Sequence, residues 1–302
     1  AVKSTVWTAA VAGVFSASRG LAIGVTLAGT AVAQIIAPPL ANWLIADYGW
    51  RAAFLCLGIG WGSIALILSQ LFLFDAHDRK RDLLRTATGD ASDEPPALTG
   101  LSIREAWRDQ ALWRIAISTF VMMVLTVALV VHQFPLLVEA GVTREKAAFL
   151  ASLTGVAGIV GKLVTGWLLD RYQPNWVGGA TLASAAIAFA LLMGPIRTPA
   201  LIVVAMVIIG YASGTKLQIC GYLTTRYGGM RNFGKIFASM ASIIALGSGL
   251  GPVLCGLVYD LYGSYTPFLL AGVAGSLLSG VLIFGLGRYP VWEQEAQAAV
   301  GR

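Results

Sequence analysis

The sequence predicts an all-α membrane protein built from two helical bundles that are joined by a polar segment. Of its 302 residues 57% are hydrophobic and 12% are charged, and apolar runs of about twenty residues recur along the chain. A soluble domain carries about 25% charged residues, so this composition excludes an ordinary soluble enzyme, a disordered chain and a secreted disulfide scaffold. No ten-residue stretch alternates apolar with polar residues, and a β-barrel is therefore not expected.

Nine apolar runs are candidates for membrane-spanning helices, because about twenty apolar residues cross the hydrocarbon core of a bilayer. Trp and Tyr recur at the ends of these runs, where interfacial anchors belong. We expect a short first helix followed by eight complete ones. The runs are Ala1–Phe15, Leu21–Ile45, Ala52–Phe74, Leu112–Val138, Ala147–Leu169, Trp176–Met193, Ala200–Tyr222, Ile236–Tyr259 and Pro267–Leu286.

Two stretches of the chain repeat one another at a constant offset of 214 residues. Each copy has a loop glycine, a spanning helix with a late proline, a Tyr-Gly turn and the start of the next helix. One predicted helix precedes the earlier copy and four lie between the polar segment and the later copy, so we expect three further helices before residue 1 and an intact molecule of six plus six. Two parallel halves are typical of secondary transporters. The matched residues are Gly20 with Gly234, Pro38 with Pro252, Tyr48-Gly49 with Tyr262-Gly263, and Phe54 with Phe268.

The polar segment, residues 75–111, is the predicted linker between the two halves. It holds the basic triplet Arg79–Arg81, and Leu101–Trp107 has the pattern of a short amphipathic helix at the membrane surface. The predicted domains are the remainder of an N-terminal six-helix bundle (1–74), a cytoplasmic linker (75–111), a C-terminal six-helix bundle (112–288) and a cytoplasmic tail (289–302).

Basic residues are concentrated on one side of the predicted membrane. The side with the linker and the C-terminus carries fourteen Lys and Arg, and the opposite side carries four. Because basic loops remain in the cytoplasm, we expect a multi-pass protein of a bacterial inner membrane with its C-terminus in the cytoplasm. The net charge of +6 is then explained by loops that face acidic lipid, and nucleic acid is not an expected partner.

Five segments, in the right order, resemble the major facilitator superfamily from its fourth to its twelfth helix. The resemblance implies a two-bundle helical transporter with nine of its twelve transmembrane helices in this chain, working by alternating access. Within the superfamily the chain looks closest to the monocarboxylate and oxalate–formate branch. The segments are Arg19–Gly24, Ala37–Leu40, Tyr48–Phe54, Gly161–Arg171, and Arg226–Gly229 with Phe233–Ile236.

Three lysines fall inside predicted membrane helices, whereas all fifteen acidic residues lie in loops or at helix ends. At 1.5 Å per residue Lys162 lies ~12 Å and Lys216 ~15 Å from the cytoplasmic end of its helix, and Lys3 lies in the short first run. Insertion of a charged side chain at this depth costs at least ~2.5–3.5 kcal/mol of free energy, so each buried lysine calls for a functional or structural explanation. A cavity with positive charge favours an anionic ligand, and we expect Lys162 and Lys216 to bind one.

The resemblance assigns Lys162 to the position where carriers of that branch place a basic, carboxylate-binding residue, usually Arg. Some relatives have an aspartate four residues earlier; the residue here is Gly158, which argues against a proton carrier of that design. Two alternatives stay open. Lys162 could extend to the cytoplasmic interface, and Lys216 could pair with a carboxylate of a preceding helix.

Three further polar residues are candidates for the binding site. Gln218 and Gln34 could donate hydrogen bonds to a carboxylate, or instead to neighbouring helices. His132, near the outer end of its helix, has a side chain whose usual pKa suits proton coupling, although an interfacial His is often structural.

A second group of residues is predicted to act as a gate. The resemblance implies that Asp170, in the G-x-x-x-D-R pattern of Gly166, Asp170 and Arg171, bridges to Arg226 or Arg231 and latches the cytoplasmic side when the outer side is open. The alternative is a positive-inside anchor with a nearby counter-ion. Gly-x-x-x-Gly pairs at Gly20, Gly58, Gly210 and Gly247 predict close helix packing.

No motif for catalysis, ATP binding or metal binding occurs in the sequence. Cys56, Cys220 and Cys255 lie in apolar runs and are interpreted as small core residues. We therefore expect no enzyme and no cofactor, but a secondary active transporter of a small organic anion, a carboxylate, by symport or antiport and coupled to protons or to a second anion. The expected partners are that anionic solute and the lipid bilayer, with a monomer as the working unit. The alternatives are a drug or cation efflux carrier of the same fold and a non-transporting membrane receptor.

Overall fold

The structure is a computed structural model, and it describes Thr8, Val11, residues 18–72, 99–193 and 198–288, and Pro290. The predicted first helix with Lys3, most of the linker and the C-terminal tail lie outside the described residues. So do some side chains within helices, among them those of Gln34 and Arg144. The described chain is helical apart from short turns and one isolated bridge between Gly100 and Gly229.

The described residues form nine α-helices, which we number in chain order. One π-helical turn, Cys56–Trp61, connects the first helix to the second. The helices are α1 (Arg19–Leu55), α2 (Gly62–Phe72), α3 (Ile103–Ala106), α4 (Gln110–Glu139), α5 (Arg144–Arg171), α6 (Pro174–Met193), α7 (Pro199–Gly228), α8 (Phe233–Tyr262) and α9 (Thr266–Phe284).

The prediction of an all-α membrane protein is confirmed. Seven helices among the described residues are long and apolar enough to cross a membrane. They include α4 to α9, whose bounds lie within a few residues of the predicted runs except at the end of α7. The seventh, Asp47–Gln70, contains the later part of α1, the π-helical turn and most of α2.

The internal repeat is visible in the backbone. Helix α1 begins at Arg19 and α8 begins at Phe233, which is the offset of 214 residues read from the sequence. The two Tyr-Gly turns agree as well, since Gly49 (φ +77°) kinks α1 and Gly263 (φ +64°) ends α8 in the left-handed conformation that glycine adopts without strain. The repeated sequence therefore encodes a repeated helix–break–helix unit.

The chain divides into two compact units, and the boundary falls within α1. One unit is Val32–Pro95, which contains the later part of α1 and all of α2. The other combines Ala1–Ala31 with Pro96–Arg302, so the first turns of α1 belong to the same unit as the bundle of α4 to α9. In that bundle α4 packs on α8, α5 on α7 and α6 on α9.

Small residues allow the paired helices of the bundle to approach closely. A Cβ at Gly214 would collide with the backbone of Gly158 in α5, and one at Gly251 would collide with the carbonyl of Val124 in α4. The predicted packing role of these glycines is confirmed. Gly58, by contrast, has no described atom within 4 Å of its Cβ position.

The end of the linker is fixed to the turn between α7 and α8. Leu101 donates its backbone N–H to the Gly228 carbonyl at 2.9 Å and accepts a bond from the Asn232 amide at 2.9 Å. Helix α3 then begins with reciprocal bonds between Ser102 and Glu105, which hold the pKa of the Glu105 carboxyl below its usual value. A helix is therefore present within the predicted stretch Leu101–Trp107, with four residues. Its location at the membrane surface stays a prediction.

Candidate functional site

The candidate site lies where the first turns of α1 cross α5 and α7. A Cβ added at Gly166 in α5 would lie 2.7 Å from the Gly20 carbonyl, and one at Gly24 would lie 2.7 Å from the Lys162 carbonyl. These glycines let the α1 and α5 backbones touch. The contact runs antiparallel, because residues early in α1 meet residues late in α5.

Asp170 forms the end of this contact on the side of the linker. One carboxylate oxygen accepts the backbone N–H of Gly20 at 2.8 Å, and the other accepts that of Leu21 at 2.9 Å. The first N–H groups of a helix have no partner within the helix, and the helix dipole favours a negative charge there. Asp170 thus acts as a cap for α1, supplied by α5.

The three candidate arginines of the gate have other contacts. The Arg171 guanidinium lies 4.6 Å from the ring centre of Trp167, and Arg226 stacks on Tyr222 at 5.6 Å. Arg231 interacts electrostatically with Glu105 in α3. The observed hydrogen bonds of Asp170 are to the backbone at the start of α1. Its bridge to Arg226 or Arg231 stays a prediction.

Gln218 of α7 completes the crossing. Its side chain is fully buried, and its Nε2 donates to the Gly20 carbonyl at 3.0 Å. Its Oε1 is buried and accepts no hydrogen bond from the described residues. Gln218 therefore lies beside Asp170 at the start of α1, and its one hydrogen bond is to the backbone of a neighbouring helix.

The ammonium of Lys162 meets α1 about two turns further from the linker side, at Leu27. Its side chain is 7% exposed, and the ammonium group donates to the Leu27 carbonyl of α1 at 2.9 Å. The aliphatic stem is packed between helices, so the side chain does not extend to the surface. Lys162 connects α5 to α1, as Asp170 does, whereas Gln218 connects α7 to α1.

Lys216 of α7 is the second buried cation. It is 6% exposed, and its ammonium donates to the backbone carbonyl of Ser213 at 2.7 Å and to the Ser213 hydroxyl at 3.1 Å. It also lies near enough to Lys162 for the two charges to repel one another. An ammonium has three donors, so these contacts leave one N–H of Lys216 for another acceptor.

Polar groups that the sequence analysis missed line the seam between α5 and α7. Thr165 donates to the Tyr211 hydroxyl at 2.7 Å, and Gly161 lies against the Tyr211 backbone. Ser213 lies three residues before Lys216, a spacing that brings side chains together on a helix. That spacing was the available signal for Ser213, whereas Tyr211 could not be paired with Thr165 from the sequence.

His132, a residue of α4, contacts α8 and the turn before α9. Its Nε2 is 3.1 Å from the Pro252 carbonyl and must donate to it, so in the neutral ring Nδ1 accepts from the Tyr265 hydroxyl at 3.2 Å. Burial raises the pKa of Tyr265, which keeps that hydroxyl protonated. Both ring nitrogens of His132 are therefore used in contacts between elements.

Among the residues that the structure describes, no three His, Cys, Asp or Glu side chains are grouped as metal ligands would be. Cys220 and Cys255 are buried and Cys56 is exposed, each as a free thiol. The predicted site residues that the structure brings together are Lys162, Gly166, Asp170, Lys216 and Gln218.

Comparison with known proteins identifies the family. The sequence profile of the Major Facilitator Superfamily matches residues 1–215 and 134–300, which together cover almost the whole chain. Human monocarboxylate transporter 12 is 25% identical over 301 residues, covering 91% of this chain and 57% of the relative. The gallate transporter of Pseudomonas putida is 27% identical over 274 residues, covering 78% of this chain and 59% of the relative. The chain thus spans less than two thirds of the length of these relatives.

Solved structures agree on the fold. The Escherichia coli fucose:proton symporter superposes with a TM-score of 0.66 at 17% identity, covering 94% of this chain and 73% of that one. The human organic anion transporter MFSD10 superposes with a TM-score of 0.67 at 17% identity, covering 93% and 67%. At such identities the likeness extends to the arrangement of helices alone.

Proposed function

We propose that this chain, which belongs to the Major Facilitator Superfamily, forms most of a secondary active transporter for a small organic anion, with a carboxylate as the recognised group. The protein is integral to the membrane and multi-pass. Substrate binding is assigned to Lys162 and Lys216, and gating to Asp170, Gly166, Gly20 and Gln218.

The observation that carries this proposal is the environment of Lys216. Its ammonium is removed from water, repelled by Lys162, and bonded only to Ser213 among the described residues. A buried charge without a counter-charge is unfavourable by several kcal/mol. A carboxylate that accepts the remaining N–H of Lys216 would supply the missing charge.

Lys162 is suited to the same ligand, because its ammonium lies near enough to Lys216 for the two charges to repel one another. An anion between the two ammonium groups would be attracted to both and would reduce their mutual repulsion. Lys presents a point charge and not the two-pronged donor of Arg, so selection among carboxylates of different shape is expected to be loose.

The names of the relatives support an anionic substrate. Monocarboxylate transporters and a gallate transporter are among the proteins to which this chain is similar. Both names describe the transport of carboxylates. Two indications, the buried lysines and the sequence similarity to carboxylate transporters, therefore favour an anionic substrate. A drug or cation exporter would instead require buried carboxylates.

The contacts of α1 supply the proposed gate. Asp170 and Gln218 hold the start of α1 against α5 and α7 through Gly20. Alternating access requires that contacts at one side of the membrane break while those at the other form. We assign this contact to the cytoplasmic side of a bacterial inner membrane, from the excess of basic residues on that side, and we assign transport to a monomer coupled to protons or to a second anion.

Uptake by the full-length protein in liposomes tests the proposal. The labelled solutes are lactate, gallate and oxalate, with tetraethylammonium as a cation of comparable size. We expect uptake of at least one carboxylate and none of the cation, with uptake lost in Lys162→Ala and Lys216→Ala. The control is Lys146→Ala, an exposed lysine in the first turn of α5. Carboxylate uptake that both mutants retain in full would remove the assignment of the lysines.

A further inference from the structure

An apolar groove opens between α3, α4 and α8, and neither Lys162 nor Lys216 lines it. Its walls are Trp107 of α3, Trp113 and Ala116 of α4, and Ser239 and Ile243 of α8, with other apolar side chains between them. Ser239 is the only polar side chain in the lining among the described residues. An apolar solute would fit such a surface better than a polar one.

Two tryptophans stand at one end of the groove. The Trp113 indole N–H donates to the Trp107 carbonyl at 3.0 Å, and the two rings meet edge to face with centres 5.6 Å apart. Both rings remain partly exposed. Tryptophan with an apolar face and a bonded N–H is typical of the membrane–water boundary. The groove therefore starts at the headgroup level and runs into the hydrocarbon.

Basic side chains border the end with the tryptophans. Arg104 and Arg108 are exposed on or beside α3, and Lys235 is exposed four residues before Ser239 on the same helix. The neighbouring carboxylates are already engaged: Glu105 bonds Ser102, and Asp109 caps α4 through Leu112. The mouth of the groove thus offers cations to an anionic headgroup.

The internal repeat relates the groove residues of α8 to positions in α1. The face of α1 that contacts α5 and α7 contains Gly24, and its counterpart in α8 is Ala238. Ser239 of the groove corresponds to Val25, whose side chain is 57% exposed on the neighbouring face. The groove residues of α8 therefore lie on a different face from the one that corresponds to the contact of α1 with α5 and α7.

We propose that this groove is a binding site for an anionic phospholipid of the leaflet on the linker side. One acyl chain lies along the wall of α4 and α8, and the phosphate is held by Arg108 and Lys235. An acyl chain explains the apolar lining, and a phosphate explains the basic mouth. The bound lipid would fix α3, and with it the end of the linker, to the start of α8.

Native mass spectrometry of the full-length protein tests this site, with phosphatidylglycerol and phosphatidylcholine of identical acyl chains as the probes. We expect the wild-type protein to retain phosphatidylglycerol in preference. Ser239→Phe, which fills the groove, should reduce the retention of both lipids. Arg108→Gln with Lys235→Gln should lower the preference for phosphatidylglycerol about tenfold, because both cations that meet the phosphate are lost.

Matched controls separate this site from general lipid contact. Ile187→Phe adds the same ring to an exposed position of α6, and Lys146→Gln removes an exposed cation elsewhere. Both should leave lipid retention unchanged. The proposal is overturned if the double charge variant retains the wild-type preference, or if a photo-reactive group at Ile243 attaches to another part of the protein or to a second copy and not to lipid.

Discussion

The carboxylate of Asp170, in the last turn of α5, accepts the backbone N–H of Gly20, in the first turn of α1, at 2.8 Å. Its other oxygen accepts the next N–H, that of Leu21, at 2.9 Å. The contact is a helix cap made by a residue 150 positions away in the chain. The donors are backbone groups, and the contact requires a glycine at position 20, because a Cβ there would lie 2.6 Å from the Gly166 carbonyl oxygen and 2.9 Å from the Asp170 carboxylate.

Replacing Asp170 should open this contact. Asp170→Ala removes both acceptors, and hydrogen bonds to a charged group contribute about 1.5–3 kcal/mol each. We expect the equilibrium to shift at least tenfold towards separation of α1 from α5. Spin labels at the exposed positions Ser18 and Tyr172, read by double electron–electron resonance, would report a longer distance population. The same labels with Asp260→Asn, an exposed carboxylate in α8, should report the wild-type distance.

A methyl group at Gly166 should also separate α1 from α5, in this case by steric collision. Its Cβ would lie 2.7 Å from the Gly20 carbonyl, so α1 and α5 must move apart. We expect Gly166→Ala to slow transport severalfold. Gly155→Ala is the matched control, since that position of α5 has open space. Equal rates in the two variants would show that the contact plays no part in the cycle.

Gln218 offers a test that separates gating from substrate binding. Gln218→Leu removes the bond to the Gly20 carbonyl and also the buried Oε1, which accepts no bond from the described residues. We expect the maximal transport rate to change and the substrate concentration at half-maximal rate to stay within twofold. The reverse pattern would return Gln218 to the binding site predicted from the sequence.

His132 should affect stability more than transport. Its ring joins α4 to the Pro252 carbonyl of α8 and to the hydroxyl of Tyr265. Since a buried hydrogen bond contributes about 0.5–1.5 kcal/mol, His132→Ala should lower the melting temperature of the purified protein by several degrees. Substrate affinity should be unchanged. A large loss of affinity at an unchanged melting temperature would instead favour the predicted role in binding.

The helices and the repeat were predictable because long apolar runs and the Tyr-Gly breaks are local signals. Helix α7 was the exception, since it was predicted to end at Tyr222 and continues to Gly228. Polar residues follow Leu223 in this stretch, but Thr224 and Thr225 return their hydroxyls to carbonyls of the helix itself. Because their hydroxyls are satisfied within the helix, these threonines can be buried, and the helix continues beyond the point where hydropathy falls.

The composition of the candidate site was predictable, and its pairings were not. A lysine far from any acidic residue is visible in a sequence, which is why Lys162 and Lys216 were selected. The contact of Asp170 with α1 was not predicted, because the prediction looked for a side chain of opposite charge and the observed donors are backbone N–H groups. The bridge from Asp170 to an arginine stays a prediction. Gly20 binds both Asp170 and Gln218 with its peptide groups, which no side-chain pattern records.

Equilibrium binding of gallate to the full-length protein, measured by isothermal titration calorimetry, tests the role of the buried charge most directly. The comparison is among wild type, Lys216→Arg and Lys216→Gln, with Lys162→Gln as a second neutral variant. If the positive charge attracts the anion, Kd rises at least tenfold in both Gln variants and recovers in part in Lys216→Arg. Unchanged affinity in both Gln variants would contradict the assignment of an anion to these two lysines.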